Sequence, residues 1–354
     1  MFHFLKSLIM FCFIKNFLGY TFELSFSIKK QNKNEIFSAY LEKKISEMEK
    51  KASLYKGKTY ARNSVCNYKK IANIWPDFES SLGAKGLKFS DITIDIYSRF
   101  MEFCDERNYM ESTKYQYASL VKAVMNYALE DGVSENTVQN SKGFVTHRSA
   151  AVFKKVYLTR DEIARLAALK TEPGTLPDKV KDVFLVGCYT GQRFSDYSSL
   201  SIDEMENIMV DGTAHKALRK IQRKTGHTVV IPVLDDNLLT IMNKWNGHLP
   251  KITISALNAT IKVLCREAGI NSKVTTFSSR GGKKLRSVQL KYELVSSHTA
   301  RRSYITNLYM EGTLSTEQIR SISGHMSEES FRRYLCQNQE EEAAEIIKKY
   351  ISRK

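Results

Sequence analysis

Residues 315–335 read STEQIRSISGHMSEESFRRYL. Ser315 and Gln318 form a capping pair, each side chain able to satisfy a free amide at a helix start. Gly324 closes that short helix, because glycine readily enters the left-handed conformation that helix ends favour. A second helix is expected from Glu328 to Leu335, with Phe331 and Tyr334 on neighbouring faces. Taken alone, a tyrosine there is core or boundary packing. Upstream, Ser296-Ser297-His298-Thr299-Ala300-Arg301-Arg302 opens a helix with a buried stripe at Ala300, Tyr304, Ile305 and Leu308, ending near Gly312. His298 and Arg301 stand three apart and share a face near its start. Alone, they read as a capping histidine and a salt-bridged arginine.

Earlier still, Thr190-Gly191-Gln192-Arg193-Phe194-Ser195-Asp196 marks a helix that ends at the glycine. Arg193 sits at the mouth of the next helix, where a guanidinium fork and free backbone amides together suit phosphate oxygens. Between these pieces, His215 to Val233 reads as a β-hairpin. Ala217-Leu218 leads into a basic stretch, then a Lys224-Thr225-Gly226 turn, then Thr228-Val229-Val230-Ile231 before Pro232.

The composition narrows the partners. The 354 residues are 42% hydrophobic, enough for a real core, and 17 Gly with five Pro exclude collagen-like or Pro-rich architecture. Lys and Arg number 54 against 38 Asp and Glu, a net charge of +16 that calls for a polyanion. That polyanion is nucleic acid or an anionic membrane surface. The cysteines at 12, 66, 104, 188, 265 and 336 form no C-x-x-C pair or zinc-spaced cluster. They read as reduced thiols of a cytoplasmic protein.

Residues 1–33 are expected to form a short N-terminal element, with a secretion signal as the competing reading. Ser7 to Ile14 is apolar, but Lys6, Lys15 and Glu23 interrupt the stretch before bilayer length. From Tyr20 to Ile28 apolar and polar residues alternate, as in a half-buried strand. After the polar linker Lys29–Asn34, a helical domain is expected over residues 34–150. Its stripes are Phe37, Tyr40, Leu41, Ile45 and Met48; then Tyr60 to Ile74, stopped by Trp75-Pro76. Ile96, Phe100 and Phe103 follow, then Tyr115, Leu120, Val124 and Tyr127. A new unit begins at Tyr157 with the capping box Thr159-x-x-Glu162 and runs to residue 339, mixed but mainly helical. From Glu267 to Glu293 there is no internal acid, yet Lys273, Arg280, Lys283, Lys284, Arg286 and Lys291 are present. That stretch reads as a loop that either tracks a DNA backbone or is simply solvated. Residues 340–354 read as an amphipathic C-terminal helix.

Together the pieces resemble the tyrosine recombinase (phage integrase) family, especially integrases of bacterial mobile elements. That family's pattern is Arg, Lys, His-x-x-Arg, Gly-His, and a Tyr nine residues after the second His. Arg193, Lys224, His298-x-x-Arg301, Gly324-His325 and Tyr334 follow it in order. The resemblance implies a mainly α, two-domain DNA clamp: a helical core-binding domain plus a catalytic domain with a small sheet. It implies that Tyr334 attacks phosphorus to give a 3′-phosphotyrosyl link, and that Arg193 and Arg301 hold the non-bridging oxygens with help from His325. His298 would assist proton transfer, and Lys224 would protonate the departing 5′ oxygen. The bland reading of the lysine turns Arg219, Lys220, Arg223 and Lys224 into a phosphate-contacting run. No cofactor or metal is implied. The implied partners are double-stranded DNA and three further copies of the chain, with an accessory DNA-bending protein or excision factor as an option. The rivals are a non-catalytic DNA-binding accessory protein, a type IB topoisomerase-like relaxing enzyme and, more remotely, a membrane-surface protein.

Overall fold

The computed structural model describes residues 35–51, 54–55, 58–146 and 155–336, together with 343, 347, 350 and 351. The N-terminal element and its alternating strand lie outside the described residues. Of the C-terminal helix, Ala343, Ile347, Tyr350 and Ile351 are described, each helical and exposed. The chain divides into two units, residues 1–149 and 150–354.

The first unit is helical apart from a minimal antiparallel pair, β1 (Leu54–Tyr55) and β2 (Lys58–Thr59), between its first two helices. α1 (Phe37–Glu49) buries Phe37, Tyr40, Leu41, Ile45 and Met48, the stripe expected from sequence. α2 (Arg62–Ser81) corrects an expectation, because it runs through Pro76 and does not stop there. Proline inside a helix costs about 3 kcal/mol. The last turn offsets this by packing. Phe78 is fully buried, with its ring 5.3 Å from Trp75 and 5.1 Å from Phe100. Burial of one such ring stabilises by roughly 1.5–3 kcal/mol, and each aromatic pair adds about 0.5–1.5. Glu79, one turn past the proline, accepts from Trp75 Nε1 at 3.0 Å and from the amides of Gly86 and Leu87 at 3.1 and 2.9 Å. α3 (Ile94–Glu106) inserts Tyr97, Phe100 and Phe103. α4 (Glu111–Glu130) turns Ala118, Val121, Val124, Met125 and Ala128 inward. Of the stripe expected there, Tyr115, Leu120 and Tyr127 stay at the rim. An amphipathic ring keeps its hydroxyl near polar partners, and Tyr60 donates to the Tyr127 hydroxyl at 2.9 Å.

The second unit is built on α6 (Leu176–Thr190), buried along nearly its whole length. α5 (Arg160–Ala168) precedes it, and Thr159 and Glu162 cap its start reciprocally as expected. After the short α7 (Phe194–Tyr197) come β3 (Met205–Val210), β4 (Thr213–Ile221) and β5 (Thr228–Pro232), one antiparallel sheet in that order. The β4–β5 hairpin is the one expected. β3 was not, although Asp211-Gly212 joins it to β4 with positive φ at both positions, the two-residue turn that suits strand twist. α8 (Asn237–Lys244) and α9 (Ile254–Glu267) follow.

The acid-free stretch is a further correction. It is no loop but a hairpin of β6 (Lys273–Arg280) and β7 (Lys283–Leu290). Gly281 and Gly282, at φ 54° and 72°, make its turn. Both faces are largely exposed, with Phe277, Leu285 and Val288 uncovered beside the cations. α10 (Ser297–Glu311) then packs on α6, where Gly187 permits the approach. A Cβ at 187 would lie 2.8 Å from the Tyr197 ring and 2.9 Å from Ala300 Cβ. α11 (Thr316–Ser323) ends at Gly324 in the left-handed conformation, as expected. α12 (Glu328–Arg332) is shorter than expected, and Tyr334 lies in the turn beyond it.

Candidate active site

Four helix ends and one hairpin turn supply the site. α6 stops at Gly191 with φ 66°, its missing side chain giving room to the Tyr304 ring, which would stand 2.2 Å from a Cβ. Arg193 is thereby placed at the N-cap of α7. The β4–β5 turn presents Lys224, α10 presents His298 at its first turn, and Gly324 turns the chain so that His325 faces inward. These residues and Tyr334 line one open cavity of about 540 Å³. Five of the six expected catalytic residues thus meet there.

The sixth, Arg301, lies behind the wall, fully buried. It donates to the carbonyls of Gly191 at 2.9 Å and Ser323 at 2.8 Å, and its Cζ stands 5.0 Å from the Tyr334 ring centre. Burial first, then Arg193, lowers its pKa to about 9, which leaves it charged at neutrality. His325 accepts from Arg301 through Nε2 at 2.8 Å. The Ser323 hydroxyl, which donates to Ile319 O at 2.7 Å, therefore receives Nδ1–H of His325 at 2.8 Å. This tautomer is neutral. Burial, then Arg301, Arg193 and Arg320, push the His325 pKa down to about 3. His298 is lowered as well, by desolvation in the cavity wall, then by Arg302, Arg301, Lys224 and Arg193. The Tyr334 ring is 4.8 Å from that of His325.

Among the described residues that line the cavity there is no Asp or Glu, while Lys155, Arg302 and Arg333 join the expected cations. An acid-free, cation-rich concavity around a tyrosine suits a phosphodiester. A family profile described as the phage integrase family matches residues 156–341, and one described as the phage integrase SAM-like domain matches residues 36–142. This chain belongs to the phage integrase family. It is a tyrosine recombinase, an enzyme of DNA strand breakage and rejoining. Among solved structures it is similar to the Tn1549 transposon integrase in complex with circular intermediate DNA, at 13% identity and TM-score 0.59, covering 88% of this chain and 99% of that one. XerH site-specific recombinase bound to a palindromic difH substrate gives 14% identity and TM-score 0.62, covering 90% and 98%. A lambda integrase tetramer bound to a Holliday junction gives 15% and 0.56, covering 93% and 85%. No curated protein matches by sequence.

The other cations expected to contact DNA separate into two groups. Arg219 forms a two-pronged pair with Glu206, both bonds at 2.8 Å, and Lys220 is buried, with Nζ on Glu204 at 2.6 Å and Ser199 O at 3.2 Å. Their charges are already matched, so the basic run beside Lys224 reduces to Arg223 and Lys224 itself. Lys273, Arg280, Lys283, Lys284 and Arg286 stand exposed on the β6–β7 hairpin, outside the cavity lining. Besides Arg302 and Arg333, three residues of the recombinase site went unread in the sequence. Asp196, fully buried, accepts from the Arg223 amide at 2.9 Å and supplies a negative charge near Arg301. Its offset of three from Arg193 was a signal available in the sequence. Lys155 donates to Arg333 O at 3.0 Å, and Gln222, also fully buried, bonds Arg193 at 3.0 Å. Neither carries a local signature. Among the described residues, no group of three or more His, Cys, Asp or Glu could hold a metal ion, and no helix is long and apolar enough to cross a membrane.

Proposed function

We propose that this recombinase cuts and rejoins duplex DNA at specific sites through a 3′-phosphotyrosyl intermediate on Tyr334, using neither metal ion nor ATP. The observation that carries the reading is the acid-free cavity in which Tyr334 faces Arg193, Lys224, His298 and His325. Tyr334 Oη attacks phosphorus while the P–O5′ bond breaks. The tyrosine proton passes to His298, whose pKa is lowered by burial and then by its cationic neighbours. The 5′ oxygen leaves as a hydroxyl with a proton from Lys224. Charge gathering on the non-bridging oxygens is met by Arg193 and Arg301, so fixed guanidiniums serve where other enzymes use Mg²⁺. Arg301 becomes available as the Tyr334 ring that covers it swings toward phosphorus. His325 then exchanges its bond with Arg301 for one to phosphate. The phosphotyrosyl bond conserves the energy of the phosphodiester, so a 5′ hydroxyl from another strand reverses the step.

Double-stranded DNA is the partner on this reading. Arg223 and the exposed cations of the β6–β7 hairpin contact its backbone, and Lys155 and Arg302 hold phosphates flanking the scissile one, whereas Arg333 is already paired with Glu329. Exchange of both strands between two duplexes needs four active sites, so the assembly on DNA is a tetramer. The test is a substrate nicked beside the scissile phosphate. Wild-type protein should be trapped as a denaturant-resistant adduct, whereas Tyr334→Phe should bind the same DNA and give none. Equal adduct from the Phe variant would move the nucleophile elsewhere.

A further inference from the structure

We infer that Gln222 is the positioning residue that locks the hairpin lysine to the arginine clamp, an inference that rests on the proposed phosphotyrosyl chemistry. Gln222 is fully buried and every polar group it owns is used. Its backbone N–H donates to His227 O at 2.8 Å and its carbonyl accepts from the Gly226 amide at 2.8 Å, closing the turn that contains Lys224. Its side-chain oxygen accepts from Arg193 at 3.0 Å and from the Thr225 hydroxyl at 3.0 Å. Its side-chain nitrogen donates to Gln192 Oε1 at 2.8 Å and to Ser323 O at 3.0 Å. The Ser323 carbonyl also holds Arg301. One amide therefore touches Arg193 directly, Arg301 through a shared acceptor, and the lysine turn through both its main chain and Thr225.

The chemistry favours an amide here. A carboxylate would hold Arg193 as well, but it would spend part of the positive charge needed at phosphorus, and it could not donate to Ser323 O. A neutral acceptor orients the guanidinium and leaves its charge intact. Gly324 is shaped to this neighbour, because a Cβ there would lie 2.4 Å from Gln222 Nε2. Lys224 itself is exposed, so the turn's attachment to Gln222 is what fixes where its ammonium can reach.

The experiment is a pair of double-mutant cycles on single-turnover cleavage of the nicked substrate, with adduct formation as readout. Gln222→Met keeps the length and removes the side-chain bonds. Alone it should slow cleavage on the order of 100-fold, the scale of a misplaced catalytic group, with noncovalent DNA binding little changed. Combined with Arg193→Lys, and separately with Lys224→Ala, its further loss should shrink well below that value, since a positioning residue has nothing left to position. Losses that multiply in the Arg193→Lys cycle overturn the inference. Should Lys224→Ala alone cost nothing, the role of that lysine in the proposed chemistry fails, while the arginine cycle still decides the case of Gln222. If Gln222→Met does not fold, Thr225→Val takes its place in the lysine cycle and Gln222→Glu in the arginine cycle. Gln222→Glu should slow cleavage although it retains the acceptor, and wild-type cleavage by it would also overturn the inference.

Discussion

The two site histidines are both held neutral, and they report different things. His298 must accept a proton, so cleavage should fail only when it is protonated. Its pKa lies below the ordinary 6.5, hence the acid limb of the rate profile should fall below pH 6.5, and His298→Gln should lower the plateau and remove that limb. A wild-type limb at or above pH 6.5 would exclude this assignment. His325 reports on stability. Its folded pKa is about 3, whereas the unfolded chain takes up the proton near 6.5. Between those values the unfolded state binds more protons, so stability falls with acidification by about 1.4 kcal/mol per pH unit from this residue. His325→Gln keeps an acceptor for Arg301 and a donor for Ser323 but cannot titrate. Thermal unfolding at pH 7 and pH 5 should show a shallower loss for that variant than for wild type, and equal losses would place the titration elsewhere.

Glycines at helix ends and turns separate structural strain from contact. Gly324 combines φ 70° with a neighbour 2.4 Å from a Cβ, whereas Gly212 has φ 78° and open space. Gly212→Ala should cost about 1–2 kcal/mol in urea unfolding, the strain alone. Gly324→Ala should cost more and also abolish cleavage, because the amide of Gln222 has to move. The Gly324 cap and the Lys224 turn were legible because a helix end and a tight turn each leave a short local signature. Gly281-Gly282 and Asp211-Gly212 leave one too, but the one-sign charge of β6–β7 suits a solvated or DNA-tracking loop equally well. β3, like any exposed strand, lacks the apolar alternation that marks a half-buried one. Pro76 misled for the opposite reason: a strong local signal lost to tertiary packing around Phe78 and Glu79. Gln222 is a third kind of case, since four partners spread from Gln192 to Ser323 exist only once the chain has folded. On the β6–β7 hairpin, Arg286→Ala should weaken DNA binding uniformly across sequences and reduce the salt slope by about one unit. An unchanged slope would remove it from the backbone contacts.

For the molecule as a whole, the net charge of +16 predicts association that weakens steeply as salt rises, with cleavage persisting in excess EDTA. Loss of cleavage that Mg²⁺ restores, with binding unchanged, would contradict the arginine-based chemistry. Arg301 enters the core on two peptide carbonyls, Gly191 and Ser323. Neutral acceptors do not cancel its charge, and the single negative charge of Asp196 is set against both Arg301 and the nearby Arg193. Folding thus concentrates like charge that the unfolded chain keeps apart, and a small tetrahedral oxyanion becomes a ligand of the native state alone. Vanadate or sulfate should therefore raise the melting temperature with the logarithm of concentration, by about 2.7 kcal/mol of added stability at one hundred times the dissociation constant. Chloride at equal ionic strength should not, and Arg193→Ala should flatten the vanadate response.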